Sequence, residues 1–220
     1  MIDATFLEGK SKYPSPIKNK FIKRLFDIVF SFLVIVLGLP IFVILVFIVL
    51  FSSKGPIFYI SKRVGINGKQ FKLYKFRTMY IDADQKIEKI INEDKELFKE
   101  WIKYRKLKKD PRVTPIGHFL RKTSLDELPQ FFNVFKGNLS VVGPRPFFLN
   151  EIIEIFPKKA PKILSVKPGI TGLWQTSGRN NLTIIQRVDC EEKYIDTYSF
   201  KNDLFLICKT IPLMFPHKEK

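Results

Sequence analysis

Ile28 to Ser53 runs for 26 residues without a formal charge and is built mostly from Val, Ile, Leu and Phe. An apolar run longer than about 18 residues reads as a membrane segment rather than a core helix. It starts too late and runs too long for a cleavable signal peptide, and no small-residue cleavage pattern follows it. Lys18, Lys20, Lys23 and Arg24 precede the run; Lys54, Lys62 and Arg63 follow it. Positive charge prefers the cytoplasmic side, so a simple span would strand one basic flank. Pro40 sits at the middle of the run beside Gly38 and Leu39. Its missing N–H and its ring kink or break a helix there. Two anchors follow: a helix that enters one leaflet, bends at Pro40 and returns, or one tilted span with a tolerated proline.

The whole chain has 220 residues, room for one good core or for a domain plus an anchor. Its net charge of +17 points to a polyanionic partner: nucleic acid, anionic lipid or a phosphorylated ligand. Cys190 and Cys208 lack metal-ligand spacing and make no disulfide framework, and His118 and His217 are too far apart for a histidine metal site.

Residues 1–20 read as a polar, flexible lead-in, 21–53 as the anchor and 54–220 as the catalytic or binding domain. Between Gly55 and Met79, Ile66-Asn67-Gly68-Lys69 is a turn signal joining two strand-like runs, which predicts a β-hairpin. Asp82 to Lys109 has apolar residues at spacings of three and four and predicts a helix, which packs in the domain, lies at the interface or meets a partner. Polar Gly/Pro-rich loops fill 110–117, 137–146 and 167–181, and the last 40 residues look helical. The fold class expected is α+β, mostly helical, with an N-terminal re-entrant helix hairpin, a compact catalytic domain, a small β-hairpin and interfacial helices.

The sharpest local feature is Leu120 to Gln130, LRKTSLDELPQ, where two adjacent carboxylates follow two cations and two hydroxyls. Pro129 predicts a helix that begins near Ser124 to Asp126. A helix start stabilises negative charge, keeps an aspartate ionised as a nucleophile must be, and attracts phosphate. Glu127 is placed to hold a divalent cation; hard oxygen ligands suit Mg²⁺. The same residues admit a plain alternative, because Ser124-x-x-Glu127 spells a capping box. In Gly143-Pro144-Arg145-Pro146 two prolines fix the direction of a guanidinium suited to phosphate, or to a local carboxylate. Lys75-Phe76-Arg77 is a phosphate-binding or a solvated edge. Lys167 to Gln175 and Ser177-Gly178-Arg179 offer close backbone approach, an aromatic face and an arginine, for a nucleotide or acceptor or for a packed turn.

In order along the chain, these segments resemble one family: the bacterial sugar transferases, monotopic polyprenyl-phosphate phosphoglycosyl transferases that start surface-glycan assembly. The landmarks are Lys23-Arg24-Leu25-Phe26-Asp27, the anchor with Pro40, Gly55-Pro56-Ile57-Phe58, Lys75 to Met79, Asp110-Pro111-Arg112, Leu120 to Gln130, Val142 to Pro146 and Pro168 to Arg179. The resemblance implies transfer of sugar-1-phosphate from a UDP-sugar to polyprenyl (undecaprenyl) phosphate with release of UMP, in exopolysaccharide, capsule, O-antigen or glycoprotein glycan synthesis. It implies Asp126 as the nucleophile of a covalent phosphosugar intermediate and Glu127 as a Mg²⁺ ligand. Arg121, Arg145 and Arg179 would bind phosphates or the nucleotide, and Lys75 and Arg77 would lie near the acceptor phosphate. It also favours the re-entrant anchor, on the cytoplasmic face of the bacterial inner membrane, in contact with membrane lipids. Ile60-Ser61-Lys62 departs from the family's more polar stretch, and four further N-terminal membrane helices of the large members have no counterpart in these residues.

Two rival readings are a non-enzymatic, membrane-tethered module that binds anionic lipid or nucleic acid, and a Mg²⁺-dependent pyrophosphatase using water as acceptor. No RNA- or DNA-binding signature appears, so nucleic acid is not an expected partner. The sequence leaves open the sugar and the oligomeric state, a homo-oligomer included.

Overall fold

The computed structural model describes residues 13–105, 107–178 and 182–213. Two helices come first, α1 (Lys20–Leu37) and α2 (Leu39–Ser52). Asn19 caps α1, accepting from the Ile22 N–H at 3.0 Å. The helix carries its polar residues inward. Lys23, Asp27 and Ser31, four apart and hence on one face, are buried against the domain, while Phe21, Leu25, Phe32 and Leu37 are exposed. The break falls at Gly38, and Pro40 opens α2, where a missing N–H costs little. The two axes meet at 63°. Among the described residues no single helix is long and apolar enough to cross a membrane; the bent pair passes that test only jointly.

The basic flank read from the sequence is partly spent inside the protein. Lys23 is 5 % exposed and lies 3.0 Å from Asp203. Arg24 donates to the carbonyls of Val134 and Phe135, at 2.7 Å each. Lys18 and Lys20 remain exposed.

The hairpin forms as expected. β1 (Phe58–Val64) and β2 (Gln70–Phe76) pair antiparallel with Val64 opposite Gln70. The turn needs left-handed backbone at Asn67 and Gly68, with φ of 55° and 79°, which Asn and Gly tolerate best. Phe42 of α2 packs on Phe76 with centroids 5.0 Å apart, so the anchor is seated on the hairpin.

The helix expected over 82–109 is two helices, α3 (Ala83–Glu93) and α4 (Lys95–Tyr104). Asp94 interrupts it by accepting from the Glu96 and Leu97 N–H groups and capping α4, a competition with the helix that periodicity alone does not reveal. Next come α5 (Pro115–Thr123), a 3₁₀ turn (Leu125–Glu127) and α6 (Gln130–Lys136). β3 (Ser140–Val142) and β4 (Gly169–Thr171) form a parallel pair, a second small sheet that the sequence reading lacked. Around it lie α7 (Leu149–Ile155), α8 (Ala160–Ile163), α9 (Leu173–Thr176), α10 (Ile184–Asp196) and α11 (Phe200–Leu213). The fold is thus mostly helical α+β. One core cluster joins Leu45 and Val49 of α2 to Phe76 and Leu120, with Leu125 and Leu128 packed against it. Those two leucines flank Asp126-Glu127, so the anchor supports the loop that carries the carboxylates.

Candidate active site

α5 begins as its sequence dictates. Thr114 accepts from the Gly117 N–H at 2.9 Å, and Pro115 occupies the first turn. Its end departs from the expectation. Ser124 is left-handed, with φ of 58°, and makes no side-chain cap. The capping box is therefore absent, and the helix expected to start at Ser124–Asp126 starts at Gln130 instead. The 3₁₀ turn between the two helices presents the carboxylates side by side.

Lys75 of β2 meets both, 2.6 Å from Glu127 Oε1 and 3.8 Å from Asp126 Oδ2. Asp126 is 7 % exposed. Burial pushes its pKa up to about 6; Lys75 and Arg121 pull it down, and Glu127 pushes it further up. The low pKa expected from a helix start is thus corrected: desolvation outweighs the cations, and no long helix N-terminus backs the group. At neutral pH the carboxylate still predominates. Arg121 donates to Thr78 Oγ1 at 2.9 Å, beneath the dyad. Burial lowers its pKa, and the charges of Asp126 and Asp110 raise it.

Arg77 is not gathered into this group. It is 6 % exposed and donates to the carbonyls of Val49, Ser53 and Pro56, tying the end of α2 to the hairpin. The geometry gives it a structural fastening rather than a place beside the dyad. Arg179 lies outside the described residues.

Arg145 stands in a loop fixed from two sides. Gly143 and Gly169 exchange backbone hydrogen bonds with the facing loops, Gly143 N–H to Thr171 O at 3.0 Å and Gly169 N–H to Pro144 O at 2.7 Å. A Cβ at Gly169 would collide with the Gly143 backbone, which is why small residues recur here. The Arg145 N–H donates to Glu191 Oε1 at 2.9 Å, and its guanidinium lies 5.3 Å from the Trp174 ring centroid.

A polar cleft runs from the dyad to this loop, lined by Arg63, Lys75, Glu127, Gln130, Arg145, Trp174 and Gln175 among others. On the other side of Glu127 lies an apolar recess of about 140 Å³, lined by Phe30, Leu128, Phe131, Ile170, Ile207 and Ile211. Glu127, Ile170 and Gln175 belong to both. Four residues of this neighbourhood escaped the sequence reading as site residues: Arg63, Gln130, Arg187 and Glu191. Arg187 and Glu191 sit four apart on α10, a spacing that reads as a surface ion pair; both are instead buried.

Among the described residues no three His, Cys, Asp or Glu side chains converge as a metal site. Adjacent carboxylates at Asp126 and Glu127 still fit Mg²⁺, which commonly takes one or two carboxylates and completes its shell with water and substrate phosphate.

The model of the family described as bacterial sugar transferase matches residues 18–217. The exopolysaccharide production protein ExoY of Rhizobium meliloti (strain 1021) is 43 % identical over 190 residues, covering 86 % of this chain and 84 % of that protein. The undecaprenyl-phosphate galactose phosphotransferase of Salmonella typhimurium is 42 % identical over 192 residues, 87 % of this chain and 40 % of its own length. The UDP-glucose:undecaprenyl-phosphate glucose-1-phosphate transferase of Klebsiella pneumoniae is 38 % identical over 208 residues, 90 % of this chain and 42 % of its own. With nearly its whole length inside the family match, the chain belongs to the bacterial sugar transferases.

Proposed function

We propose that this protein moves sugar-1-phosphate from a UDP-sugar to undecaprenyl phosphate, the first membrane step of an exopolysaccharide or capsule pathway. The observation that carries the reading is the pair Asp126-Glu127 held by Lys75 and within reach of the Arg121 charge, with Glu127 lining both a cationic cleft and an apolar recess. Such a junction suits a soluble anionic donor and a lipid acceptor that must reach the same atom.

In the first step a carboxylate oxygen of Asp126 attacks the β-phosphorus of the donor, and the bond to UMP breaks. In the second, a phosphate oxygen of the polyprenyl phosphate attacks that phosphorus and frees Asp126. Lys75 holds the dyad and screens the repulsion between two carboxylates and incoming phosphate. Glu127 would hold Mg²⁺, which supplies charge neutralisation on the phosphate oxygens.

The bent helix pair supports a re-entrant anchor on the cytoplasmic face of the inner membrane. α2 has 14 residues, about 21 Å of helix, short of the roughly 30 Å hydrocarbon core. Its exposed Ile41, Ile44, Phe47 and Phe51, with the outward face of α1, form an apolar surface too broad for water. α4, with no buried residue and Phe98 and Ile102 exposed, fits the interface beside it.

The test is UMP release from UDP-sugars in the presence of Mg²⁺, with and without polyprenyl phosphate. Lipid-dependent release supports the transferase; release independent of lipid points to the pyrophosphatase; none across a panel of UDP-sugars rejects both. Asp126→Asn should lower turnover by at least about 10³-fold with an unchanged fold, and retained activity sinks the nucleophile assignment.

A further inference from the structure

We infer that the polar cleft beside the dyad is the seat of the nucleoside-phosphate half of the donor, that Arg63 binds it with Arg145, and that Arg187 positions Trp174 against it. This rests on the transferase reading and adds two arginines and an aromatic to it.

The first argument is charge. Arg63 and Arg187 are 8 % and 4 % exposed, and Arg145 lies close enough to depress both. Burial first and Arg145 second bring Arg63 down to about 9 and Arg187 to about 10. Against three guanidiniums stand Glu151 and Glu191, with Glu127 of the dyad exerting a weaker pull on Arg63 from across the cleft. Glu151 is 3.9 Å from Arg63. Glu191 is fully buried, its pKa is pushed up to about 8 by that burial, and it engages the backbone of Arg145 rather than a guanidinium. A buried cation without a counter-charge is strongly unfavourable, so a surplus held in place this way calls for an anion. The arginines are held by neutral groups: Arg63 donates to Pro146 O at 3.2 Å and stacks on Phe148, and Arg187 donates to Leu182 O at 3.1 Å.

The second argument is satisfaction. Nine buried side-chain polar atoms lack a hydrogen-bond partner among the described residues; three belong to residues that line the cleft, Arg145 Nε, Trp174 Nε1 and Gln175 Oε1, and two to residues packed against those, Arg187 Nη2 and Glu191 Oε2. Buried polar atoms are rarely left unpaired unless something else pairs them.

The mixture of orphans identifies the ligand. A phosphate offers only acceptors and satisfies the guanidinium and indole N–H groups. Gln175 Oε1 needs a donor, which a ring N–H or sugar hydroxyl of a nucleoside supplies and an isoprenoid phosphate does not. Trp174 lies 5.3 Å from Arg145 and 5.1 Å from Arg187, so Arg187 fixes an aromatic plane in the cleft. The apolar recess across Glu127 leaves the lipid its own approach.

The experiment titrates full-length protein in detergent with UMP, inorganic phosphate and polyprenyl phosphate separately, and measures KM for both substrates. Arg63→Gln and Arg187→Gln should each weaken UMP binding about tenfold or more and raise KM for the UDP-sugar. The KM for polyprenyl phosphate should stay within about threefold, and Arg187→Lys should recover part of the loss. UMP affinity within about twofold of the parent in both Gln variants overturns the inference. A loss confined to polyprenyl phosphate makes this the lipid's phosphate site, and inorganic phosphate competing as well as UMP leaves no nucleoside recognition; either outcome overturns it too. A readout independent of the arginines uses the two tryptophans. In a Trp101→Phe background Trp174 is the sole tryptophan, and with selective tryptophan excitation UMP should change its fluorescence; an unchanged spectrum counts against the cleft. Parent protein that turns over but binds UMP indifferently to Arg63 and Arg187 fails this inference alone. Parent protein that neither binds UMP nor turns over fails the transferase reading.

Discussion

Two regions bury charge, and they do it in opposite ways. At the junction of α1 with the domain, Asp27 accepts from Ser140 Oγ and the Val141 N–H, both at 3.0 Å. Lys23 lies 3.5 Å from Asp27 and 3.0 Å from Asp203, which also accepts from the Tyr194 hydroxyl at 2.8 Å. Every charged member faces an opposite charge within the chain, Asp203 Oδ2 meeting Lys23 as an ion pair without a hydrogen bond. Around Trp174, three guanidiniums share one close carboxylate contact, and orphan donors and acceptors accumulate. A closed network fastens an element; an open one with surplus charge prepares a place for something not in the chain. The dyad lies between these extremes, with Lys75 shared by both carboxylates.

The largest effect that can break this contrast is at the closed network. Asp27→Ala leaves Ser140 Oγ and the Val141 N–H without their acceptor and Lys23 with Asp203 alone, and should cost about 2–4 kcal/mol of stability. Thermal unfolding in detergent measures it, and a change below about 1 kcal/mol would show that the network is no fastening.

Glu191 comes next. Its pKa rises from 4.5 to about 8 on folding, because burial opposes ionisation while the Arg145 N–H and charge favour it only in part. A raised folded pKa adds stability that is complete below 4.5 and is lost as pH rises through about 8. The parent should therefore lose Tm between those limits, and Glu191→Gln should flatten the loss. Each kcal/mol is worth about 2–4 °C at this chain length. Parallel Tm profiles for parent and variant would contradict a neutral buried Glu191.

The smallest change in stability belongs to the open cluster. Arg187→Gln removes a buried cation that lacks a carboxylate partner, so Tm should hold or rise, with a change within about 1 kcal/mol. A fall like that of Asp27→Ala would make the two regions alike and turn the arginine cluster into a fastening.

Much of the architecture was legible from local pattern. The Asn67-Gly68 turn fixed the hairpin because left-handed backbone selects those residues, whereas α5 begins at Pro115, inside the stretch 110–117 expected as a loop. Asp126, Glu127, Lys75, Arg121 and Arg145 were legible as a set only through their order along the chain. Their convergence depends on β2 meeting the 3₁₀ turn, a contact across about fifty residues that no local rule encodes. Where local rules failed, a tertiary contact or a competing cap had won. Ser124 turned left-handed instead of capping, Asp94 split one helix into two, and Arg77, which the resemblance put near the acceptor phosphate, donates to the carbonyls of Val49, Ser53 and Pro56.

The sequence by itself marked an uncharged run as an apolar segment and Gly38 and Pro40 at its middle as the place for a kink or a break, since apolar content and a missing N–H act locally; it left the 63° bend to the fold. It also determined that a chain this basic awaits phosphate-rich partners. The tertiary structure decided which charges remain available for that task. Lys23, Arg24 and Arg77 are consumed by carboxylates and carbonyls, whereas Arg63, Arg145 and Arg187 are brought together with one close carboxylate, Glu151, among them. The reason is that a charge's role is set by its burial and its neighbours, and both are properties of the folded chain.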